Sequence, residues 1–193
     1  MAPRWVYHPF GIEQYLIQSK ALKSEGVNLN HYMAVDIFLK IQGVDGEAKD
    51  SKHKKEIDVL AWSWGLSNSG SAHVGGGAGA GKVNVQDLSI TKYLDAASPK
   101  LMLSCCNGHH YDEATLVVRK AGGDNPVEYL KIKLQEVLIS AVSTGGSGGE
   151  DRLTENVILN FAKFNVDYTP QDDKGAAGTA IPAGWDIAQN TKV

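Results

Sequence analysis

A glycine-rich stretch is the nearest approach to a ligand-binding motif in this sequence. Gly76 and the pair Gly81-Lys82 have the spacing of a loop that wraps phosphate groups in backbone N–H donors. Val83, however, occupies the position where such a loop needs a serine or threonine to hold Mg²⁺. The residues that follow have the pattern of a strand, whereas phosphate binding uses the N-terminus of a helix. We therefore predict a loop between two strands and expect no cofactor.

Two adjacent cysteines and two nearby histidines suggest a zinc site, because thiolate and imidazole are common zinc ligands. In a helix, Cys105 and His109 would share a face. Gly108, however, is predicted to end that helix before the histidines, and no second ligand pair follows at a suitable spacing. We therefore expect Cys105 and Cys106 to be buried, His109 and His110 to be exposed, and no metal to be bound.

No nucleophile of a hydrolase stands out. Ser147 lies between two glycines but lacks the strand-to-helix elbow that a hydrolase serine needs. Glu150 and Asp151 precede Arg152 and are interpreted as a local salt bridge or a turn cap rather than a catalytic acid pair. From its residues alone, the chain is predicted not to be an enzyme.

The composition excludes several classes of protein. The 193 residues are 42% hydrophobic and 21% charged, which is typical of a soluble globular protein with one domain, with or without an appendage. A net charge of −3 gives no electrostatic basis for binding nucleic acid. Since no apolar run is long enough to cross a bilayer and no signal peptide is recognisable, neither nucleic acid nor membrane insertion is expected.

The stretch 56–65, EIDVLAWSWG, is the strongest structural signal in the chain. Side chains of a β-strand alternate between its two faces. We predict that the large apolar residues of one face are core anchors: Leu60, Trp62 and Trp64. The opposite face carries Val59, Ala61 and Ser63. Because its residues are small, we predict that this face is either tightly packed or turned towards water.

Most of the chain shows the alternation of β-strands joined by polar loops. Strands are predicted over 33–41, 56–68, 82–91, 114–120, 127–142 and 155–168, with a closing strand at 184–187. A single helix is predicted over about 98–107, with Ser98 as its N-cap, Pro99 in its first turn and Gly108 at its end. Residues 43–55 are predicted to be a long exposed loop. This order indicates an antiparallel barrel or sandwich with one helix.

Residues 1–32 differ from the rest because they show no strand alternation. Met33 is a sensible start codon. We predict that residues 1–32 are an N-terminal extension, either a misplaced gene start or a disordered appendage, and that residues 33–193 form the β-barrel domain.

Residues 33–193 resemble the haemolysin-coregulated protein (Hcp) family, the tube subunits of bacterial type VI secretion. Five segments carry the resemblance: MAVDIFLKI (33–41), EIDVLAWSWG (56–65), GKVNVQDLSITKY (81–93), RKAGGDNPVEYL (119–130) and VSTGGSGGEDRLTENVILNF (142–161). It implies a mainly β fold, a small antiparallel β-barrel with one α-helix that is related to phage tail-tube proteins. It also implies homo-hexameric rings that stack into a hollow tube.

The resemblance further implies a structural role rather than an enzymatic one. The expected partners are a contractile sheath, a spike at the tip of the tube, baseplate proteins, and small effectors that the ring carries in its lumen. The subunit is expected to be cytoplasmic before firing. It is then secreted, into the medium or a target cell, without a signal peptide.

We assign roles to several residues on the basis of this resemblance. By resemblance, Ser63 takes a lumen position, and its small hydroxyl would keep the channel open and let cargo bind weakly. The predicted lumen-facing residues are Ser63, Ala61 and Val59. Two loops are candidate contacts between stacked rings, the 43–55 loop and the tip of the hairpin near residue 123. The candidate residues in them are Asp50, Lys52, Gly122, Gly123 and Asp124.

Three alternatives stay open. A phage-derived tail-tube protein without a role in secretion would have the same fold. A monomeric β-barrel binding module would have a concave pocket for a small ligand or sugar. An effector enzyme would need hydrolytic or metal chemistry, for which the sequence offers no convincing motif.

Overall fold

The structure, a computed structural model, describes residues 35–70, 80–120, 126–149, 151–172 and 175–193. Within these ranges it contains eleven strands and one helix. The strands are β1 (Val35–Ile41), β2 (Ile57–Ser63), β3 (Leu66–Gly70), β4 (Ala80–Val85), β5 (Leu88–Tyr93), β6 (His110–Lys120), β7 (Glu128–Gly145), β8 (Thr154–Asn160), β9 (Lys163–Tyr168), β10 (Ile181–Asp186) and β11 (Thr191–Lys192). The helix, α1 (Ser98–Asn107), lies between β5 and β6. The predicted extension 1–32 lies outside the described residues.

Six strands close into an antiparallel barrel. They pair in the order β7-β6-β1-β2-β5-β8, and β8 pairs back onto β7. Strands β9, β10 and β11 extend the sheet from β7, while β3 and β4 form a separate two-stranded ribbon. For the described residues, the prediction of a mainly β, antiparallel barrel with one helix is confirmed.

Strand β7 has 18 residues and pairs with two successive strands, β8 and β9, along one of its edges. Leu138 pairs with Asn160 of β8, and Gln135 pairs with Lys163 of β9, in one continuous register. The prediction of one strand over 155–168 is wrong because Phe161 and Ala162 interrupt it. At this break Phe161 is buried and its ring meets that of Trp64 edge-on.

Two other predicted strands are also divided. Trp64 and Gly65 separate β2 from β3, and Gln86 and Asp87 separate β4 from β5. The two breaks face each other, because the indole Nε1 of Trp64 donates to the Gln86 carbonyl oxygen at 2.9 Å and the Gln86 N–H donates to the Gly65 carbonyl at 2.9 Å. These two hydrogen bonds connect the breaks at the junction between the barrel and the β3–β4 ribbon.

The inward faces of the barrel strands form one apolar core. Its fully buried members include Leu39, Ile57, Leu88, Ile90, Leu116, Ile132, Leu134, Val137, Val157 and Leu159. Burial of apolar surface contributes on the order of 25 cal/mol per Å² and is the main stabilising term for such a barrel. The alternation predicted for 33–41 leads correctly to Leu39 and Ile41, although Val35 at the strand's beginning is exposed.

The helix has the predicted bounds but not the predicted N-cap. Ala97 is the capping residue, and no side chain makes a capping hydrogen bond. Ser98 is instead buried, with its hydroxyl oxygen 2.8 Å from Oε1 of Glu155. At the other end Gly108 adopts φ 65°, a left-handed conformation that suits glycine and ends the helix as predicted.

A buried ion cluster fixes the beginning of the helix to the barrel. The Lys92 Nζ lies 2.8 Å from Oε1 of Glu155 on β8, 2.6 Å from Oδ1 of Asp95 and 3.1 Å from the Ser98 hydroxyl. The Lys92 and Glu155 side chains are both 0% exposed. Because a buried charge without its partner costs several kcal/mol, this cluster makes the position of the helix specific.

Candidate functional site: assembly surfaces

The alternation expected for β2 is broken by a β-bulge. Val59 pairs with Lys92 whereas Ala61 pairs with Thr91, so that Leu60 is the extra residue. Val59 is consequently buried in the core, and Leu60 is 45% exposed beside Ala61 on the outer face. The predictions of Leu60 as a core anchor and of Val59 as a lumen-facing residue are therefore wrong.

The other residues of this stretch keep the expected sides of the strand. Trp62 and Trp64 are half-buried and pack against the core. The Trp64 ring lies 4.8 Å from the Phe164 ring, edge-on. Ser63 and Ala61 are exposed on the outer face of the barrel. That this outer face lines a lumen stays a prediction.

Ser63 and Ala61 belong to an uncharged face that crosses four barrel strands. Cross-strand pairing forms two rungs: Ser63–Ser89–Ile158–Ala141 and Ala61–Thr91–Asn156–Ser143. We call these eight residues the uncharged face. None carries a charge, and four have a hydroxyl group. All eight are exposed or half-buried, whereas the alternate residues Ile90 and Val157 are buried in the core.

Hydrogen bonding and charged neighbours define the limits of the uncharged face. Within it, the Thr91 hydroxyl donates to Oδ1 of Asn156 at 2.7 Å. At one end, the Asp87 carboxylate accepts hydrogen bonds at 2.8 Å from the Ser140 hydroxyl and from Nδ2 of Asn160. Between its limits the face offers small donors and acceptors, which suit weak contacts with varied surfaces.

A charged group marks the opposite end of this face. The guanidinium of Arg152 lies 4.0 Å from the centre of the Tyr93 ring, whereas the sequence interpretation paired this arginine with an acidic neighbour. Asp58 is exposed on β2. The pKa of Asp58 is raised first by partial desolvation of its carboxylate and then by the negative charge of Asp95. The positive charge of Arg152 lowers it.

Sequence reasoning missed most of the uncharged face. It identified Ser63 and Ala61 but not their cross-strand partners Ser89, Thr91 and Asn156. A signal was present, since polar residues alternate with apolar ones in LSITKY (88–93) and TENVILN (154–160). What the sequence does not contain is the pairing register that brings these alternations onto one surface.

The predicted loop 43–55 keeps most of its residues exposed, as predicted, but a few buried residues attach it to the barrel. Val44, Ala48 and His53 are 4–5% exposed. The segment folds back on itself through backbone hydrogen bonds, such as that from the Lys55 N–H to the Ala48 carbonyl at 2.9 Å. At Gly46 a Cβ atom would collide with the backbone of residues 56 and 57, so this close approach requires glycine. We call residues 45–56 the strap.

His53 fixes the strap to the outer side of β1. Its ring stacks on that of Phe38 at 4.2 Å between centres. Its Nδ1 lies 2.8 Å from Oε2 of Glu56, and its Nε2 lies 3.4 Å from Oε1 of Glu128 at the beginning of β7. One side chain thus contacts the strap, the barrel and the β6–β7 hairpin.

Asp50 provides a second attachment. Its Oδ2 lies 2.6 Å from Nη2 of Arg119, which also lies 2.8 Å from Oδ2 of Asp36. The hydrogen bond from Arg119 holds the pKa of Asp50 well below its usual range, and the same contact raises the pKa of Arg119. Oδ1 of Asp50 accepts the N–H groups of Lys52 and His53. Asp50 is thus held within its own subunit, while Lys52 is exposed.

The strap and the β6–β7 hairpin, predicted separately as ring contacts, are joined by these bonds. Arg119 is the penultimate residue of β6. The predicted contact residues Gly122, Gly123 and Asp124 come between β6 and β7 in the sequence and lie outside the described residues. Among the predicted contact residues, the structure therefore places Asp50 and Lys52 only.

The motifs weighed for ligand chemistry have structural explanations. Lys82 lies in strand β4 and not at the beginning of a helix. This position agrees with the prediction that the glycine-rich stretch connects two strands. Residues 71–79 of that stretch lie outside the described residues. His109 and His110 are exposed as predicted, but Cys106 is exposed and Cys105 is half-buried, contrary to prediction. Within the described ranges, no three His, Cys, Asp or Glu side chains are grouped to hold a metal ion.

One surface feature bears on the alternative of a binding module. A cavity of about 420 Å³ lies between the ribbon and the last strands. It is lined by Leu66, Asn68, Val83, Phe164, Ala183, Gly184, Trp185 and Asn190. Among the described residues, no helix combines the length and apolar character needed to cross a membrane.

Comparisons with known proteins agree on one family. A family model described as type VI secretion system effector, Hcp, matches residues 38–168. The protein hcp1 of Pseudomonas aeruginosa (strain PAO1) is 65% identical over 161 residues, which cover 83% of this chain and 99% of that protein.

Solved structures show the same likeness. A structure described as a type six secretion system protein has a TM-score of 0.78 at 34% identity, covering 83% of this chain and 100% of that one. The crystal structure of Hcp1 from Salmonella typhimurium has a TM-score of 0.69 at 41% identity, with coverage of 83% and 100%.

Proposed function

The chain belongs to the Hcp family of type VI secretion proteins, and from that premise we propose that six copies close into a ring whose opening is lined by the uncharged face. The rings stack into the inner tube of the secretion apparatus. The tube is expelled from the cell and carries small effectors in its lumen. In this proposal the protein acts as a structural subunit and carrier, not as a catalyst.

The observation that carries this proposal is the chemical character of the uncharged face. A barrel buries its apolar side chains in its own interior, so its outer faces are free to serve other purposes. In a six-membered ring, any charge on the lumen side is repeated six times around a narrow channel, where like charges repel one another. Small neutral side chains avoid that repulsion and leave the channel open. Their hydroxyl groups form weak hydrogen bonds with cargo, which allows release.

The opposite side of the barrel has a different character. On β1, β6 and β7 the outward side chains include Lys40, Glu113 and Lys133, and the Lys133 Nζ lies 2.6 Å from Oε2 of Glu113. Charged surfaces of this kind give specificity in protein–protein encounters. We assign this side to the outside of the ring, where the sheath surrounds the tube.

Closing a ring requires contact between different patches of neighbouring subunits, and stacking requires complementary top and bottom faces. In our proposal one of these faces includes the strap together with the end of β6 and the beginning of β7, which it contacts at Arg119 and Glu128. We further propose that stacking is weak for isolated rings and is promoted by the sheath or baseplate. Spike and baseplate proteins then contact only the ring at each end of the tube.

Negative-stain electron microscopy, combined with native mass spectrometry, tests the proposal. We expect six-membered rings with an open centre and a mass six times that of one chain. Chain expressed from its native locus also shows by its mass whether it begins at Met1 or Met33. A stable monomer would contradict the ring, unless a chain beginning at Met33 forms rings where the longer chain does not.

One observation favours a second candidate function. The cavity between the ribbon and β10 is mostly apolar and has a size typical of small-molecule sites, as a monomeric binding module would require. The same native mass measurement separates the two functions, because a binding module remains monomeric. A tail-tube protein without a role in secretion would form rings too, and it is distinguished by its absence from the culture medium of firing cells.

A further inference from the structure

We propose that the tip of the strap, residues 49–54, docks on the acidic end of the paired strands β6 and β7, marked by Asp112 and Glu136, on a second copy of this chain in the next ring. This inference rests on the proposed ring and names the residues and charges through which one ring recognises another. The strap tip is attached at Arg119, near one end of β6, and the acidic surface includes Asp112, near the other end of the same strand.

The strap tip is a basic surface. Lys49, Lys52 and Lys54 are exposed and make no ion pair within the part of the chain that the structure describes. Of the carboxylates nearest to these lysines in sequence, Asp50 is engaged by Arg119 and Glu56 by His53. The exposed Glu47 accepts the N–H of Ala96 and is one negative charge beside three lysines. The positive charge of the tip is therefore available to a partner.

The strap tip is also held in a fixed position. Arg119 lies near the end of β6 and Glu128 begins β7, and the strap contacts both of them through Asp50 and His53. The Phe38 ring supports the same group, since it stacks on His53 and lies 5.1 Å from the guanidinium carbon of Arg119. A surface held in this way needs little ordering when it binds, which favours affinity.

The opposite end of the β6–β7 ladder is acidic. Asp112 and Glu136 lie on the same rung, since the flanking pairs are Tyr111–Val137 and Glu113–Gln135. Like charges placed opposite each other across two strands destabilise an isolated sheet. Asp112 is exposed and makes no ion pair within the described ranges, so this rung retains negative charge for a partner.

One lysine serves two carboxylates at this end. Lys163 Nζ lies 3.3 Å from Oδ2 of Asp186 and 3.5 Å from Oε1 of Glu136, whose side chain is 65% exposed. Asp186 is buried, so the exposed negative charge belongs to Glu136 and Asp112. Glu136 also has φ 56° in the middle of β7, a left-handed conformation that turns the local backbone away from regular strand geometry.

The two surfaces are complementary but cannot meet within one subunit. Arg119 and Asp112 are seven residues apart on β6, which at about 3.3 Å per residue separates them by about 23 Å. When identical rings stack in the same orientation, one end of each subunit meets the opposite end of the next. A basic end and an acidic end on one chain are therefore matched to a second copy, and they disfavour stacking in the inverted orientation.

Charge reversal tests this inference on intact rings. The variants are Lys52→Glu, Glu136→Lys and the double variant that carries both changes. Lys40→Glu, an exposed lysine on the outer side of β1, is the control with the same change in net charge as Lys52→Glu. Ring–ring association is measured by sedimentation velocity over a series of protein concentrations at low ionic strength, where surface charges act over a longer distance.

We expect each single reversal to weaken ring–ring association about tenfold or more, because the contact repeats around the ring. The double variant should recover most of the loss, and Lys40→Glu should behave as the unchanged chain does. The inference is overturned if Lys52→Glu rings associate normally, if the double variant shows no recovery, or if unchanged rings do not associate at all. Native mass separates this failure from that of the proposed function, because loss of the docking contact leaves six-membered rings intact.

Discussion

Asp50 and Arg119 join the strap to the β6–β7 hairpin through a contact of 2.6 Å between Oδ2 of Asp50 and Nη2 of Arg119. The two residues are 69 positions apart in the chain. Because Arg119 simultaneously binds Asp36 of β1, this contact connects two barrel strands and the strap. It makes a polar segment, which the sequence describes as a loop, part of the folded domain.

Replacing Asp50 with asparagine should destabilise the domain by about 1.5–3 kcal/mol, the value of a hydrogen bond to a charged group. The substitution keeps an Oδ1 that can accept the N–H groups of Lys52 and His53, but it removes the charged acceptor of Arg119. Urea denaturation of matched samples measures the difference. Glu113→Gln is the control, because it breaks an exposed ion pair on the same hairpin and should cost less than about 1 kcal/mol. Equal losses of unfolding free energy in the two variants would show that the contact between Asp50 and Arg119 stabilises the fold no more than an exposed ion pair does.

The same pair predicts a dependence on pH. Arg119 lowers the pKa of Asp50 in the folded state, so the carboxylate stabilises the fold fully only above its unfolded pKa of about 3.9. This contribution is lost as the pH falls from there towards the lower folded pKa. The stability difference between the natural chain and Asp50→Asn should therefore be constant near neutral pH and should shrink below about pH 4. A difference that stays constant through this acid range would contradict the pKa shift.

The bulge in β2 makes a prediction about two adjacent residues. Val59→Ala removes buried methyl groups and should cost about 1–3 kcal/mol, whereas Leu60→Ala removes more atoms from an exposed position and should cost less than about 1 kcal/mol. Thermal or urea unfolding of both variants checks the order. Regular alternation with Leu60 inside would give the reverse order.

The buried ion cluster predicts a large effect at Lys92. Lys92→Met leaves Glu155 and Asp95 without their shared cation and should destabilise the domain by about 3–5 kcal/mol. Lys133→Met, at a lysine that is 42% exposed, is the control and should cost less than about 1 kcal/mol. If Lys92→Met proves as mild as its control, the cluster does not fix the helix to the barrel.

Cargo retention tests the uncharged face directly. Ser63→Gln places a longer side chain on this face and should reduce the amount of effector that co-purifies with the rings several-fold, while the rings keep their native mass. Ser51→Gln, at an exposed serine of the strap, makes the same chemical change away from the face and should leave cargo unchanged. If Ser63→Gln rings retain the same amount of cargo, this face does not line the lumen.

Sequence reasoning identified the fold class, the helix bounds and the main strands because each depends on local periodicity or on local end signals. The alternation of 33–41 and the proline and glycine around the helix are examples. Closure of the barrel was less accessible from the residues alone, since it depends on the pairing of β8 with β7, a non-local contact.

The errors have a common physical origin. Regular alternation places Leu60 and Val59 on the wrong sides, because a single extra residue in β2 shifts the register and no composition signal marks it. The polar residues of the strap predict exposure throughout, whereas Asp50 and His53 have partners on distant strands. The local pattern favours Ser98 as a helix cap, whereas in the structure its hydroxyl is hydrogen-bonded to Lys92 and Glu155.

The central claim is that six copies of the chain close into a ring with an open centre. Native mass spectrometry of the purified chain, with negative-stain images of the same sample, tests it most directly. We predict a mass six times that of the chain and rings with an open centre. A monomer, from the chain beginning at Met1 and equally from a chain beginning at Met33, would contradict the account.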